Sequence, residues 1–86
     1  MEVVLFEQAN KDIVFWKKSG QKQIMTRITN LLKDIQKHPY SGIGKPEELK
    51  YELSGWWSRR INREHRLIYR VVNNEIQVLS LRYHYT

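Results

Sequence analysis

The sequence predicts an α+β domain of order β-α-α-β-β-β, with two N-terminal helices packed on one face of a mainly antiparallel sheet. Three observations carry this. A short β-branched run, "EVVLF", stands near the start, and two segments of helical spacing follow it. Beyond a loop with two glycines and a proline, at 40–50, the pattern changes to the alternation of strands.

Residues 2–6 read as the first strand. From about Glu7 to Lys18 the spacing turns helical: Ile13 and Trp16 lie three apart, and Phe6 is placed to extend the same face. "SGQ" at 19–21 is a break. Ile24, Ile28, Leu31, Leu32 and Ile35 then form one apolar stripe at i, i+4, i+7, i+8 and i+11. Pro39 ends that helix, because the residue before proline avoids helical angles. Just before it, His38 is expected to interact with the helix's last carbonyls. Strands follow at about 51–62, 65–72 and 76–85, divided by "NRE" and "NNE". No repeat, low-complexity tract or linker interrupts the chain, so 1–86 reads as one domain.

Composition narrows the classes. Of 86 residues, 41% are hydrophobic and 12% aromatic, too rich for a disordered chain. No apolar run approaches the roughly 20 residues that span a bilayer. "MEVVLFEQANKD" lacks the basic region and long apolar stretch of a signal peptide. Cysteine is absent, which removes disulfides and thiolate metal sites. The expectation is a cytoplasmic protein with no membrane partner.

The net charge is +6. Each half of the chain contributes +3, but residues 1–43 hold six Lys and one Arg, whereas residues 44–86 hold two Lys and six Arg. Arginine offers a planar fork that grips phosphate bidentately, where lysine is a hydrated point charge. The second half is therefore the place to look for an anionic ligand, with nucleic acid the leading candidate.

Strand parity sharpens this, since alternate residues face opposite sides of a sheet. A three-residue "NNE" loop would pair Val72 with Ile76. The odd positions Leu67, Tyr69, Val71, Leu79, Leu81 and Tyr83 would then meet the helices. The even positions Arg66, Arg70, Ser80, Arg82 and His84 would form a basic face. A two-residue loop would instead separate Arg66 from His84. Parity turns His65 to the apolar side, as a packing residue. It also sends Trp56 and Trp57 to opposite faces, with core or edge packing the first role for each and base stacking an alternative for one.

Several chemistries are unsupported. His38, His65 and His84 are widely spaced, with no carboxylate cluster around any of them, so no metal site or cofactor is expected. "GIGKPE" neither follows an apolar strand nor opens a helix, unlike a phosphate loop. Ser58 and Ser80 lack triad partners. Metal-free RNA cleavage remains. It needs a base for the 2′-OH, cations at the phosphorane and an acid for the leaving 5′-oxygen. Glu47 in the glycine-proline loop, Arg60 and Arg66 on adjacent strands, and His84 supply those types. Histidine is a natural shuttle because it ordinarily titrates near neutrality. A solvated Glu47, arginines paired with Glu48, Glu52 or Glu64, and a packing or surface His84 are the plainer alternatives. These residues alone reach a basic-faced domain, not a reaction.

"GKPEELKYELSGWWSRRINREHRLIYRV" followed by "LRYHY" resembles the YoeB-like toxins of the RelE/ParE toxin–antitoxin superfamily. The resemblance covers essentially the whole chain, through G-K-P-E, L-S-G-x-W-S-R-R-I, E-H-R-L-x-Y and R-Y-H-Y. Trp57 matches the family's shared tryptophan. The resemblance implies a toxin that binds the ribosomal A site, cleaves mRNA there and inhibits translation. It implies Glu47 as general base, Arg66 as stabiliser of transition-state charge and His84 as general acid. Arg60, Tyr85 and Lys50 are implied as substrate contacts; Tyr85 has odd parity and so needs a twist at the strand end. It further implies a disordered antitoxin segment that wraps the toxin, and homodimers. Two rival readings stand beside this one: a non-catalytic toxin like the ParE-type gyrase poisons, and a plain RNA-binding domain.

Overall fold

A computed structural model describes residues 1–83. Its elements are β1 (Glu2–Leu5), α1 (Glu7–Ser19), α2 (Lys22–Lys37), β2 (Glu47–Glu48), β3 (Trp57–Arg60), β4 (Arg66–Val72) and β5 (Glu75–Ser80). The five strands form one sheet of order β1-β5-β4-β3-β2, antiparallel except where β1 runs parallel to β5. The fold class and both helices match the sequence expectation.

Helix α2 buries Ile24, Ile28, Leu31 and Ile35, while Leu32 packs at the margin. Helix α1 buries Ala9, Asp12 and Trp16, with Ile13 half-buried. These side chains meet Leu67 and Tyr69 from β4, Ile76 and Val78 from β5, and Ile61 and Leu81. Phe6 does not join Ile13 and Trp16. It stands at the N-cap in extended backbone, and its ring meets Trp56 edge-on at 5.6 Å.

The expected strand over 51–62 is corrected. Residues Tyr51–Leu53 form a 3₁₀ turn, and the strand begins only at Trp57. Tyr51 at φ 60° and Gly55 at φ 90° break the extended geometry that a strand needs. The short β2, unforeseen, pairs Glu47 with Ser58 and Glu48 with Trp57.

The β4–β5 hairpin is also corrected. Its turn has two residues, Asn73 and Asn74, at φ 51° and 62°, so Val72 pairs with Glu75 and Val71 with Ile76. Two consecutive positive φ values are the primed turn that matches strand twist, and asparagine tolerates them. Ile76 and Val78, rather than odd-numbered neighbours, therefore face the helices. A β-bulge then intervenes: Tyr69 pairs with Val78 but Ile68 with Ser80, leaving Leu79 as the extra residue. Past it Leu81 is buried in the core. The bulge restores the even-with-even pairing that the shorter turn had removed.

Strand β5 stops at Ser80 rather than continuing to 85. Alternation lapses there, and Arg82, expected on the basic face, instead lies over the Phe15 ring of α1 at 3.5 Å. The face away from the helices is partly covered too. Ile68 and Ser80 are fully buried, and the Arg70 guanidinium stacks on Trp56 at 4.3 Å.

Candidate functional site

The register of β2, β3 and β4 brings three predicted residues to one face. Ser58 pairs with both Glu47 and Ile68, and Arg60, two residues on, pairs with Arg66. Paired residues share a face, and so do residues two apart in a strand. Glu47, Arg60 and Arg66 thus lie on the face turned away from α1 and α2. Glu47 and Arg60 are exposed and Arg66 is half-buried.

Electrostatics tie them together. Burial holds Arg66 below the usual arginine range, the Arg60 guanidinium adds to that, and the Glu47 carboxylate acts against it. Among the described residues, neither arginine pairs with Glu48, Glu52 or Glu64. Arg66 is held instead by carbonyls: its Nη1 lies 2.9 Å from Asn62 O, 3.1 Å from His65 O and 3.2 Å from Arg63 O. The Arg60 main chain is fixed on both sides. Its N–H donates to Gly44 O at 2.7 Å, and its carbonyl accepts from Arg27 Nη2 at 3.1 Å. Lys50 is exposed beside this face, and residues 47–53 line a cavity of about 500 Å³. Of the other even-face residues, Arg70 donates from Nε to Gln77 Oε1 at 2.7 Å while it stacks on Trp56, so it serves packing. His84 and Tyr85 lie outside the described residues.

The loop that presents Glu47 is organised by a residue the sequence reading overlooked. Arg59 precedes Arg60 and faces the core, completely buried. Its Nη1 donates to Asp34 Oδ2 and, at 3.1 Å, to Ile43 O. Its Nη2 donates to His38 O and, at 2.7 Å, to Ser41 O, and its Nε donates to Tyr69 Oη at 3.2 Å. One guanidinium thereby satisfies three loop carbonyls that would otherwise lack donors. The hydrogen bond from Arg59 holds the Asp34 carboxyl below the usual carboxylate range; burial opposes this, and the Ile43 N–H adds to it. Burial raises Tyr69, with Arg59 acting against it, and the phenol donates to Pro39 O at 2.6 Å. The loop packs so closely that a Cβ on Gly42 would sit 2.1 Å from Asp34 Oδ2. His38 contributes through its backbone, whose N–H donates to Asp34 O at 2.7 Å. Trp57 packs on the core and on Tyr40, ring centroids 4.7 Å apart, and Trp56 on Phe6 and Arg70. Both tryptophans therefore serve packing.

The segment before His84 is gripped twice. Leu81 donates its N–H to buried Asp12 at 2.8 Å and accepts from Trp16 Nε1 at 2.9 Å. Tyr83 donates its N–H to His65 Nδ1 at 2.8 Å, and its carbonyl accepts from Arg66 N at 2.8 Å. Asp12 went unnoticed in the sequence; its one signal is the spacing Ala9, Asp12, Trp16, which puts a carboxylate on the buried stripe. Among the described residues no group of three His, Asp or Glu side chains is placed to hold a metal ion, and no helix is long and apolar enough to cross a membrane.

Comparison with known proteins agrees with this fold. The family described as YoeB-like toxin of bacterial type II toxin–antitoxin system matches residues 6–85. The chain is 53% identical over 75 residues to Toxin YoeB of Mycobacterium bovis, covering 87% of each. A YoeB/ParE toxin from Agrobacterium tumefaciens superposes with a TM-score of 0.93 at 36% identity, over 99% of this chain and all of that one. YoeB of Staphylococcus aureus, 42% identical, is solved both as a dimer and in complex with YefM, covering 99% of this chain and 98% of its own at TM-scores of 0.91 and 0.90.

Proposed function

Because the chain belongs to the YoeB-like toxins of bacterial type II toxin–antitoxin systems, we propose that it is a metal-independent, ribosome-dependent endoribonuclease that cleaves mRNA in the ribosomal A site and thereby inhibits translation. The observation that supports this reading is the placement of Glu47, Arg60 and Arg66 on one sheet face. A carboxylate beside two guanidinium groups suits a reaction that removes a proton while negative charge grows on phosphate.

In this reading Glu47 takes the proton of a 2′-OH. The 2′-oxygen attacks the adjacent phosphorus, the bond from phosphorus to the 5′-oxygen breaks, and a 2′,3′-cyclic phosphate forms. His84 gives its proton to the leaving 5′-oxygen. Arg66 and Arg60 balance charge on the non-bridging oxygens, and Lys50 and Tyr85 hold the substrate. Residues 62–65 keep Arg66 in place through their carbonyls, so little reorganisation is needed during the step. By analogy with the complex of the S. aureus relative, this chain takes a cognate antitoxin; by analogy with that relative's dimer, it self-associates. The cytoplasm, where ribosomes work, is the proposed location.

The test is to incubate the purified protein with ribosomes programmed with a defined mRNA and to map new 5′ ends. Cuts within the A-site codon are expected. Intact mRNA at every concentration would overturn the proposal, and DNA breaks with gyrase would move the protein to the ParE-like class.

A further inference from the structure

His65 has no part in the chemistry proposed above, yet it holds the residue bonded to His84. It is buried, and its ring stands edge-on to Trp16 with centroids 4.9 Å apart. Nδ1 accepts the Tyr83 N–H at 2.8 Å. An imidazole nitrogen accepts only when it carries no proton, so this hydrogen bond requires the neutral ring with its proton on Nε2. The backbone is equally constrained: the His65 N–H donates to Asn62 Oδ1 at 2.7 Å, and its carbonyl accepts from Ile61 N at 2.9 Å.

What the ring holds is a strained residue. Tyr83 has φ 60°, a left-handed conformation that disfavours an L residue with a bulky side chain. Such a conformation persists only where its surroundings impose it. Here one backbone group goes to His65 and the other to Arg66. Leu81, two residues earlier, is secured separately by Asp12 and Trp16 of α1. Consecutive residues of β4's entry thus serve two ends: Arg66 bears on phosphate in the proposed reaction, and His65 holds Tyr83, the residue before His84.

We propose that His65 is a positioning residue whose neutral imidazole clasps the Tyr83 N–H, fixes the chain at the residue preceding His84, and lets go when protonated. The catalytic part of this rests on the reading of His84 as the general acid. Protonation at Nδ1 would set one N–H against another and remove the acceptor of the Tyr83 N–H. The charged and titratable groups around the ring come from four elements. Glu64, in the 62–65 turn, has Oε1 3.9 Å from Nε2. Arg66 of β4 has its Nη1 3.1 Å from His65 O. Helix α1 brings uncharged Trp16 and, one turn earlier, Asp12, which is engaged with the Leu81 N–H. The terminal segment brings the Tyr83 phenol, ring centroids 5.8 Å apart, which accepts from Arg82.

The experiment is nuclear magnetic resonance on the isotope-labelled full chain, following the His65 ring nitrogens and amide protection factors against pH. At neutral pH the Nε2–H tautomer is expected. As the His65 ring titrates, Tyr83 protection should fall at least tenfold while Leu81 stays protected. A proton on Nδ1 at neutral pH, or Tyr83 protection unchanged through the titration, overturns the clasp. His65→Asn places a non-titrating oxygen near the Nδ1 position and should keep Tyr83 protected at acid pH. His65→Leu should lose that protection at every pH and slow mRNA cleavage on ribosomes at least tenfold; if it does not fold, His65→Asn carries the test. Cleavage by His65→Asn should lack the acid-side decline of the wild type that tracks the His65 titration. If the wild type never cleaves, the proposed function fails and the resonance measurements still decide the clasp. If it cleaves but Tyr83 protection does not respond, the clasp alone fails.

Discussion

The Arg59 guanidinium and the Asp34 carboxylate form an ion pair joining β3 to the last turn of α2, and the arginine is wholly enclosed. The next residue, Arg60, points to the opposite face and is exposed. Two adjacent arginines thus divide two tasks, one holding the loop before Glu47 and the other facing the substrate side.

Substitution should separate those tasks. Arg59→Ala removes a buried partner and strands several loop carbonyls, at a cost of about 3–5 kcal/mol. Arg60→Ala should stay within about 0.5 kcal/mol of wild type, while weakening ribosome-dependent cleavage. Urea unfolding and the cleavage assay read the two effects. Equal destabilisation by both would contradict the division.

Acid should weaken the same joint. Asp34 binds its proton less readily in the folded chain than in the unfolded one, chiefly through Arg59. The stability this contributes is therefore present above the ordinary carboxylate value of about 3.9. It is lost as pH falls through the lower folded value. Asp34→Asn should be less stable at neutral pH, and its unfolding midpoint should depend less on pH below about 4. Urea midpoints measured across that range check the sign.

Gly44 has φ 82°, and a Cβ there would lie 2.9 Å from Leu31 Cδ2 and 3.2 Å from Arg59 Cβ. Gly44→Ala should cost about 1–3 kcal/mol, read from thermal unfolding. A neutral result would mean that the loop can relax away from α2.

Deleting Leu79 tests the bulge. The ladder would become regular, with Ser80 still opposite Ile68 and Leu81 still turned to the core. The deletion should therefore keep the fold, with a urea midpoint close to that of Leu79→Ala. A midpoint far below that of Leu79→Ala would show that the extra residue is itself required.

Chemistry should be separable from binding. Glu47→Gln and Arg66→Ala are expected to lower cleavage by about 10²–10⁴-fold while ribosome co-sedimentation persists. Removing residues 84–86 should spare most of the fold by circular dichroism and abolish cleavage. Loss of ribosome binding by Glu47→Gln would assign it to docking instead.

The helices were legible because α2 carries an unbroken stripe from Ile24 to Ile35, whose burial alone decides its face. The shared face of Glu47, Arg60 and Arg66 was legible in part: parity related the two arginines, but the short β2 strand that aligns Glu47 has no periodicity to read. The hairpin was not legible. Asn73, Asn74 and Glu75 look alike as loop formers, and only the pairing shows that Glu75 is in the strand. The bulge at Leu79 has no local signature, since it depends on what Leu81 must reach. Arg59 and Arg60 differ by nothing except which side of a strand each occupies.

The sheet order also sets a schedule for synthesis. Strand β1 emerges first, yet its only partner among the described strands is β5, made about seventy residues later. Until β5 arrives, β1 and the α1 face that docks on β5 have nothing to close against, and contacts so distant in the chain form late. Glu47, Arg60 and Arg66 are all translated before the strand that completes their sheet. A nascent chain therefore carries these three residues without the frame that aligns them.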